Sequence, residues 1–183
     1  MKEVFFLILF GLICMSGFSQ VVFDFDKDEA LFERVIVVDT ISKDDQYKRA
    51  RLWMAENLKS SDEQILADEE NHEFIIGTGN VFLPDQTLLR EKVVNFKMSI
   101  YFREGRYKVI FSELVYSWVA VSMDMTTRTP GMLELNENYK KLYSKKKIKK
   151  TKVEEEIDTA FENLLDDLND AITGGSENHS DDW

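Results

Sequence analysis

The stretch VVNFKMSIYFREGRYKVIFSELVY, residues 93–116, decides how the rest of this sequence folds. Apolar and polar side chains alternate along its first half, which is the pattern of a strand with one buried face. Gly105 can adopt the positive φ of a tight turn, so two long antiparallel strands are predicted to meet at Glu104-Gly105. If Arg103 pairs with Arg106, the apolar face of the second strand carries Tyr107, Val109, Phe111 and Val115.

The same alternation places the carboxylate of Glu113 on the apolar face, opposite Phe96. An unpaired buried carboxylate is costly, so this side chain must be paired, protonated or moved outward by a β-bulge near Ser112. We predict the bulge, because it needs no partner in the core.

The second face of this hairpin is mixed in character, with aromatic and aliphatic side chains rimmed by lysines. If helices cover the first face, the second stays open and suits a contact with a protein or peptide. The alternative is that a loop or a second copy of the chain covers it. The candidate partner-binding residues are Tyr101, Lys108, Ile110, Leu114 and Tyr116.

Two segments have the apolar stripe of an amphipathic helix. The first begins at the N-cap Ser42 and ends near Lys59, with a stripe at Tyr47, Ala50, Trp53, Met54 and Leu58. The second runs from the N-cap Thr151 to the stop signal Gly174, with a stripe at Val153, Ile157, Ala160, Phe161, Leu164, Leu165, Leu168, Ala171 and Ile172.

Three further strands precede the hairpin. Leu31–Thr40 contains the β-branched run Val35–Val38, which is typical of a strand buried on both faces. Gln64–Ala67 and Glu73–Leu83 are the other two. Gly77-Thr78-Gly79 continues into apolar strand residues instead of a helix, so we interpret these glycines as a bulge or a close helix contact, and not as a phosphate loop.

The segment after the hairpin is less regular. Residues Ser117–Met123 extend the second strand or start another, and Asp124–Gly131 is predicted to be a loop. Leu133–Tyr143 has the apolar spacing of one or two helical turns.

These elements predict a single α+β domain with the order β-α-β-β-β-β-α. We expect a curved antiparallel sheet of about five strands with two helices on one face. The domain spans residues 31–172, preceded by a leader at 20–30 and followed by a disordered acidic tail at 173–183.

Residues 1–19 have the features of a signal peptide: Lys2, an apolar run too short to span a membrane, and Ser16-Gly17-Phe18-Ser19. Cleavage after Ser19 predicts export to the periplasm or cell surface of a Gram-negative bacterium, with no transmembrane segment left. A buried N-terminal helix and lipidation at Cys14 are the alternatives. The processed chain has no cysteine, which excludes disulfides and thiolate catalysis.

The chain is strongly acidic overall, and its charged residues are unevenly distributed. Twenty-three basic and 34 acidic residues give a net charge of −11, which argues against nucleic acid as a partner. The lysine-rich segment 140–152 could bind an anionic lipid surface or polyanion, or be neutralised by the acidic helix that follows. We favour a solvated linker.

The sequence lacks the common catalytic and metal-binding motifs. It has two histidines and no paired-histidine spacing, nucleophile elbow or phosphate loop. Asp24, Asp26 and Asp28 match the opening of a calcium loop, but Glu29 and Val35 replace its glycine and glutamate. We therefore predict no catalytic residues, metal or cofactor, and a non-catalytic binding module. An envelope hydrolase that uses carboxylates is the alternative.

Several of these segments resemble a family of exported bacterial proteins known as a domain of unknown function with a TATA-binding-protein-like (TBP-like) fold. The similar segments cover about residues 31–120 and comprise Val35–Val38, Ser42-Lys43 with Tyr47, Ala50 and Trp53, Ile75–Gly79, and Tyr107–Tyr116. The resemblance implies an antiparallel sheet with helices on one face in an envelope protein. It implies no activity, since the shared residues are structural.

Overall fold

The structure, a computed structural model, describes residues 21–58, 66–67, 71–84, 90–121, 128–144 and 150–174. Its strands are β1 (Val22–Asp24), β2 (Glu29–Val37), β3 (Leu66–Ala67), β4 (Phe74–Leu83), β5 (Arg90–Arg103), β6 (Arg106–Val121) and β7 (Arg128–Glu134). Its helices are α1 (Lys43–Asn57), α2 (Leu135–Ser144) and α3 (Lys152–Thr173). The α+β class and the antiparallel sheet are confirmed, and the segment predicted to form one or two helical turns is a third helix, α2.

The strands form one sheet in the order β1-β2-β6-β5-β4-β3, with every pair antiparallel. The long strand β6 has two neighbours on one edge. Its first part, 106–111, pairs with β2, and its last part, 115–121, pairs with β7. The sheet is therefore built around the β5–β6 hairpin that the sequence singled out.

The turn of this hairpin has the predicted geometry. Arg103 pairs with Arg106, and Gly105 has φ = 71°. The carbonyl of Gly105 also accepts a hydrogen bond of 2.8 Å from the backbone N–H of Val38, which ties the end of β2 to the turn.

The predicted bulge is confirmed. The β5–β6 register shifts between Asn95 and Lys97, and Glu113 has a left-handed backbone with φ = 53°. Its side chain is exposed and forms an ion pair of 3.0 Å with Lys97. Because one extra residue reverses the alternation that follows, Leu114 enters the core and Val115, predicted to be buried, turns to the other face.

Helix α1 has the predicted cap and buried stripe. The Ser42 hydroxyl accepts a hydrogen bond of 3.2 Å from the Asp45 backbone N–H. Its C-cap residue, Leu58, packs where Gly79 passes beneath it: a Cβ at Gly79 would lie 2.8 Å from Leu58 Cδ2. The glycine thus permits the close helix contact inferred from the sequence.

Helix α3 is also capped as predicted. Thr151 and Glu154 form a reciprocal capping box, and Gly174 ends the helix with φ = 79°. Phe161 on this helix lies in an aromatic cluster, with its ring centroid 5.6 Å from Phe32 and 5.5 Å from Phe96. Such pairs contribute about 0.5–1.5 kcal/mol each beyond area burial, so α3 is an integral part of the core.

The segment after β6 differs from the expected loop. Ser117–Met123 extends β6 as far as Val121, and part of the predicted loop 124–131 forms strand β7. The ring of Trp118 covers Gly131, where an added Cβ would lie only 2.3 Å from it. Alternation did not reveal β7, because Pro130 and Gly131 are poor strand formers that depend on this tertiary contact.

The expected leader 20–30 is also part of the domain over the residues that the structure describes. Val21, Phe23 and Ala30 are buried, and β1 pairs with β2. The Val21 backbone N–H donates to Asp158 Oδ1 at 2.9 Å. The predicted signal peptide at 1–19 and the acidic tail beyond Gly174 lie outside the described residues.

Candidate functional site

The sheet face away from the helices carries a band of apolar side chains from four adjacent strands. Antiparallel register aligns Phe74 with Tyr101, Tyr101 with Lys108, and Lys108 with Val35. The next row aligns Ile76, Ser99 and Ile110 with Glu33. Six residues from these two rows form a surface that we call the outer patch: Val35, Phe74, Ile76, Tyr101, Lys108 and Ile110.

Contacts within the outer patch are loose compared with those in the core. The ring centroids of Phe74 and Tyr101 are 6.5 Å apart, and Lys108 Nζ lies 5.8 Å from the centroid of the Tyr101 ring. Val35 is 53% exposed and Tyr101 is 41% exposed. Val37, beside the patch, is 65% exposed. Large apolar side chains at this exposure have much surface to lose on contact with a partner.

The lysines of this face are neutralised by neighbouring carboxylates. Lys108 Nζ is 3.5 Å from Glu33 Oε1, and Lys97 Nζ is 3.0 Å from Glu113 Oε1. The hydrogen bond that Lys97 donates to Glu113 raises the pKa of Lys97 above its ordinary value. The face therefore presents apolar surface with two paired lysines, and Arg103 and Arg106 are exposed at its hairpin end.

The structure places three of the five predicted partner-binding residues on this face. Tyr101, Lys108 and Ile110 belong to the outer patch, as predicted. Placing Leu114 and Tyr116 there is wrong: they are 2% and 8% exposed and lie in the core on the opposite face. The bulge at Glu113 is the cause, since every residue after it exchanges faces.

Three members of the outer patch were missed in the sequence. Val35 was expected to be buried on both faces, but β2 has helices on one side only. Phe74 and Ile76 have the period-two spacing of a half-buried strand. That spacing was a usable signal for the face, although the pairing with Tyr101 is set by the register of β4 and β5.

A groove lies between the end of β4 and helix α3. It is about 450 Å³ in volume, with Val81, Pro84, Ala160 and Leu164 among its apolar lining. Phe82 at its margin is 63% exposed. Its acidic lining residues are Glu155, Glu156 and Asp167.

The carboxylates of this groove are not arranged as a catalytic pair. Glu156 forms ion pairs with Lys92 at 3.3 Å and Lys152 at 3.7 Å, while Glu155 and Asp167 are exposed on α3. Within the described ranges, no group of three or more His, Cys, Asp or Glu side chains is placed to hold a metal ion.

Two described lysines of the lysine-rich segment form ion pairs with aspartates. Lys140 Nζ lies 2.5 Å from Asp28 Oδ1, and Lys150 Nζ lies 2.5 Å from Asp158 Oδ2. The neutralisation considered for this segment thus occurs at both positions, although one partner, Asp28, comes from the β1–β2 turn and not from the acidic helix.

Residues 32–117 match the model of the domain of unknown function (DUF4468) with TBP-like fold, which confirms the resemblance seen in the sequence. A DUF4468 family protein from Bacteroides ovatus ATCC 8483 has a similar crystal structure, with a TM-score of 0.58 and 16% identity over 90% of this chain and 95% of that one. The crystal structure of a TBP-like protein from Parabacteroides distasonis ATCC 8503 is also similar, with a TM-score of 0.56 and 15% identity over 82% of this chain and 96% of that one. No curated protein matches, and none of the described helices is long and apolar enough to cross a membrane.

Proposed function

For a chain whose residues 32–117 match DUF4468, a domain of unknown function with a TBP-like fold, we propose the role of a non-catalytic binding module. It is exported to the periplasm or cell surface of a Gram-negative bacterium. There, its outer patch docks an apolar, aromatic-containing segment of a protein partner.

The outer patch is the observation that carries this proposal. Val35 and Tyr101 are exposed and together span three strands, and Phe74, Ile76 and Ile110 beside them are half-buried. Burial of apolar surface contributes about 25 cal/mol per Å², and a preformed sheet loses little conformational entropy on binding. Such a surface favours association with a protein and requires no catalytic group.

The charges on this face support an apolar partner over a polyanion. Lys108 and Lys97 already have carboxylate partners, and the chain carries a net charge of −11. To reach these two lysines, an anionic lipid or nucleic acid would have to displace Glu33 and Glu113 and approach an acidic protein. The described lysines at 140 and 150 are likewise paired.

The alternative of a carboxylate hydrolase has no specific observation in its favour. The groove beside α3 is the described surface where acids gather, yet Glu156 is engaged by two lysines. We therefore put forward one function only.

Peptide selection tests the proposal. A random peptide library displayed on phage is selected on the wild-type protein at low surface density, and enriched peptides are measured by biolayer interferometry. Val35→Lys, which places a charge in the outer patch, should weaken their binding at least tenfold. Leu52→Lys is the matched control, because Leu52 is 58% exposed on α1, away from the patch.

Circular dichroism melts establish that both variants are folded. If no peptide is enriched, or if Val35→Lys binds the peptides as well as Leu52→Lys does, the outer patch is not a docking surface and the proposal fails.

A further inference from the structure

We propose that the partner segment docked on the outer patch carries a carboxylate beside its apolar side chains, and that Arg103 and Arg106 bind this carboxylate. The inference rests on the proposed function and names the chemistry of the partner of that same surface. It follows from the position and the surroundings of these two residues, which we call the arginine pair.

The arginine pair concentrates positive charge at the hairpin end of the open face. Arg103 and Arg106 lie directly opposite each other on β5 and β6, and both are exposed. Within the described ranges, neither guanidinium forms an ion pair, although Glu104 lies in the turn between them and Asp39 lies beside Gly105. Like charges directly opposite on neighbouring strands are destabilising, so a carboxylate from outside would relieve this repulsion.

The lysines of the same face differ from the arginine pair in this respect. Lys108 has the carboxylate of Glu33 at 3.5 Å, and Lys97 has that of Glu113 at 3.0 Å. The described positive charge that is left without a partner on this face is therefore at the arginine pair. Guanidinium groups suit this role, because their planar N–H donors bind a carboxylate through two parallel hydrogen bonds.

The arginine pair also lies at a defined distance from the apolar side chains. Arg106 aligns with Val37, and the next row of the same face contains Val35 and Tyr101. Side chains on one face of a strand recur about every 7 Å, and an extended partner segment that lies along the strands has the same interval. We therefore expect an acidic residue two positions from an aromatic or aliphatic residue, with another apolar residue two positions further on.

The openness of the face favours a protein segment over a small carboxylate ligand such as a fatty acid. Val37 is 65% exposed and Val35 is 53% exposed. A small molecule lying on them would keep one side in water, whereas ligand sites bury about 70–90% of their ligand. A segment that belongs to a protein brings further surface with it and covers the exposed apolar side chains.

Synthetic peptides titrated into the purified protein, expressed from the full sequence and followed by NMR, test the inference. The acidic probe is Ser-Glu-Ser-Trp-Ser-Leu-Ser with both ends blocked, and its twin has glutamine in place of glutamate. Both are also made in reverse order, because an extended segment can run either way along the strands. Arg106→Glu reverses one charge of the arginine pair. Lys48→Glu is the matched control, since Lys48 is exposed on α1 and the net charge changes equally.

We expect the acidic probe, in at least one order, to bind with a Kd about fivefold lower than that of its glutamine twin. Arg106→Glu should abolish this preference and Lys48→Glu should keep it, whereas Val35→Lys should weaken both probes. Added NaCl should reduce the preference, because salt screens an exposed ion pair. Arg106→Glu should melt no lower than the wild type, since it replaces a like-charge pair by an opposite one.

Four outcomes would overturn the inference. The first two are equal binding of the two probes, and a preference that Lys48→Glu removes as fully as Arg106→Glu does. Equal binding that Val35→Lys still weakens would leave the proposed function intact and remove only the carboxylate from its partner. In the third, no probe binds, which refutes the spacing, and the phage selection then decides separately on the proposed function. In the fourth, phosphatidylglycerol vesicles pellet the wild type but not Arg106→Glu, which would assign the arginine pair to a lipid surface.

Discussion

The ring of Phe161 on α3 stacks on the ring of Phe111 on β6, with centroids 4.6 Å apart and planes inclined by 7°. Phe111 belongs to the hairpin, whereas Phe161 comes from a helix about 50 residues later in the chain. The two elements that the sequence defined best are therefore joined directly, and the stability of the sheet depends on α3.

This dependence predicts different effects at two adjacent leucines of α3. Leu165 is fully buried, while Leu164 is half-buried beside the groove. Leu165→Ala should lower the free energy of unfolding by about 2–5 kcal/mol, and Leu164→Ala by only about 1 kcal/mol. Urea denaturation followed by circular dichroism measures both. Equal losses would mean that the two side chains are buried alike.

The bulge predicts that serine substitutions at two positions of the hairpin have different effects on stability. Tyr101→Ser changes an exposed side chain of the outer patch and should leave the melting temperature nearly unchanged. Leu114→Ser removes a core side chain and should cost about 2–5 kcal/mol, the usual loss for truncating a buried leucine. Differential scanning calorimetry compares the two variants. If Leu114→Ser were as stable as Tyr101→Ser, Leu114 would lie on the open face.

The left-handed backbone of Glu113 predicts a preference for glycine. Glu113→Gly and Glu113→Ala both remove the ion pair with Lys97, so their difference isolates the backbone. The glycine variant should be the more stable by about 1 kcal/mol, because alanine is strained at positive φ. At the neighbouring Ser112, the same two substitutions should have the reverse order. A more stable alanine variant at 113 would contradict the bulge geometry.

Acid sensitivity is expected at Asp44. The hydrogen bond from the His72 ring, 2.8 Å from Oδ1, holds the pKa of the Asp44 carboxyl below its ordinary value of 3.8. A lowered folded-state pKa stabilises the protein above pH 3.8, and this contribution is lost as the pH falls through the lowered pKa. His72→Asn keeps a residue that tolerates the left-handed backbone and should raise the pKa of Asp44.

Carbon-detected NMR titration of the carboxyl groups measures this shift. Asp24 is the control, because desolvation there is outweighed by hydrogen bonds from Lys27 and Asp26 and by the charge of Lys27, which lower its pKa without a histidine. An unchanged pKa at Asp44 in His72→Asn would show that His72 is not its partner in solution.

Export predicts a defined N-terminus. The exported protein should begin at Gln20, with or without cyclisation of that residue to pyroglutamate, since the small residues before it form the predicted cleavage signal. Intact-mass spectrometry of the envelope and secreted fractions measures this directly. A protein that retains Met1, or that carries lipid on Cys14, would refute the predicted processing.

Local patterns were sufficient for most of the fold. The caps at Ser42 and Thr151, the turn at Gly105 and the bulge near Ser112 each follow from short-range steric and hydrogen-bonding rules, and each is present. Strand β7 and the burial of Val21 were missed, because both depend on contacts far away in the sequence. The Trp118 ring packs on Gly131 of β7, and the Asp158 carboxylate accepts a hydrogen bond from the Val21 backbone N–H.

The site was predictable only up to the bulge. Before Glu113, alternation assigned Tyr101, Lys108 and Ile110 to the correct face. After it, the bulge exchanges the faces of Leu114 and Tyr116, so simple alternation assigns both to the wrong side of the sheet. The contributions of Val35 and Phe74 require the strand order β2-β6-β5-β4, which no local pattern specifies.

The hydrogen bond from Val21 to Asp158 spans 137 positions of the chain. Tyr143 adds a second tie, since its hydroxyl donates to the Val21 carbonyl at 2.7 Å. The first strand of the domain pairs with β2, but it lacks both of these ties until α2 and α3 have been synthesised. A ribosome-bound chain therefore cannot complete these contacts until most of it has been synthesised, and a chain exported as we propose would meet the export machinery before its first strand is fixed.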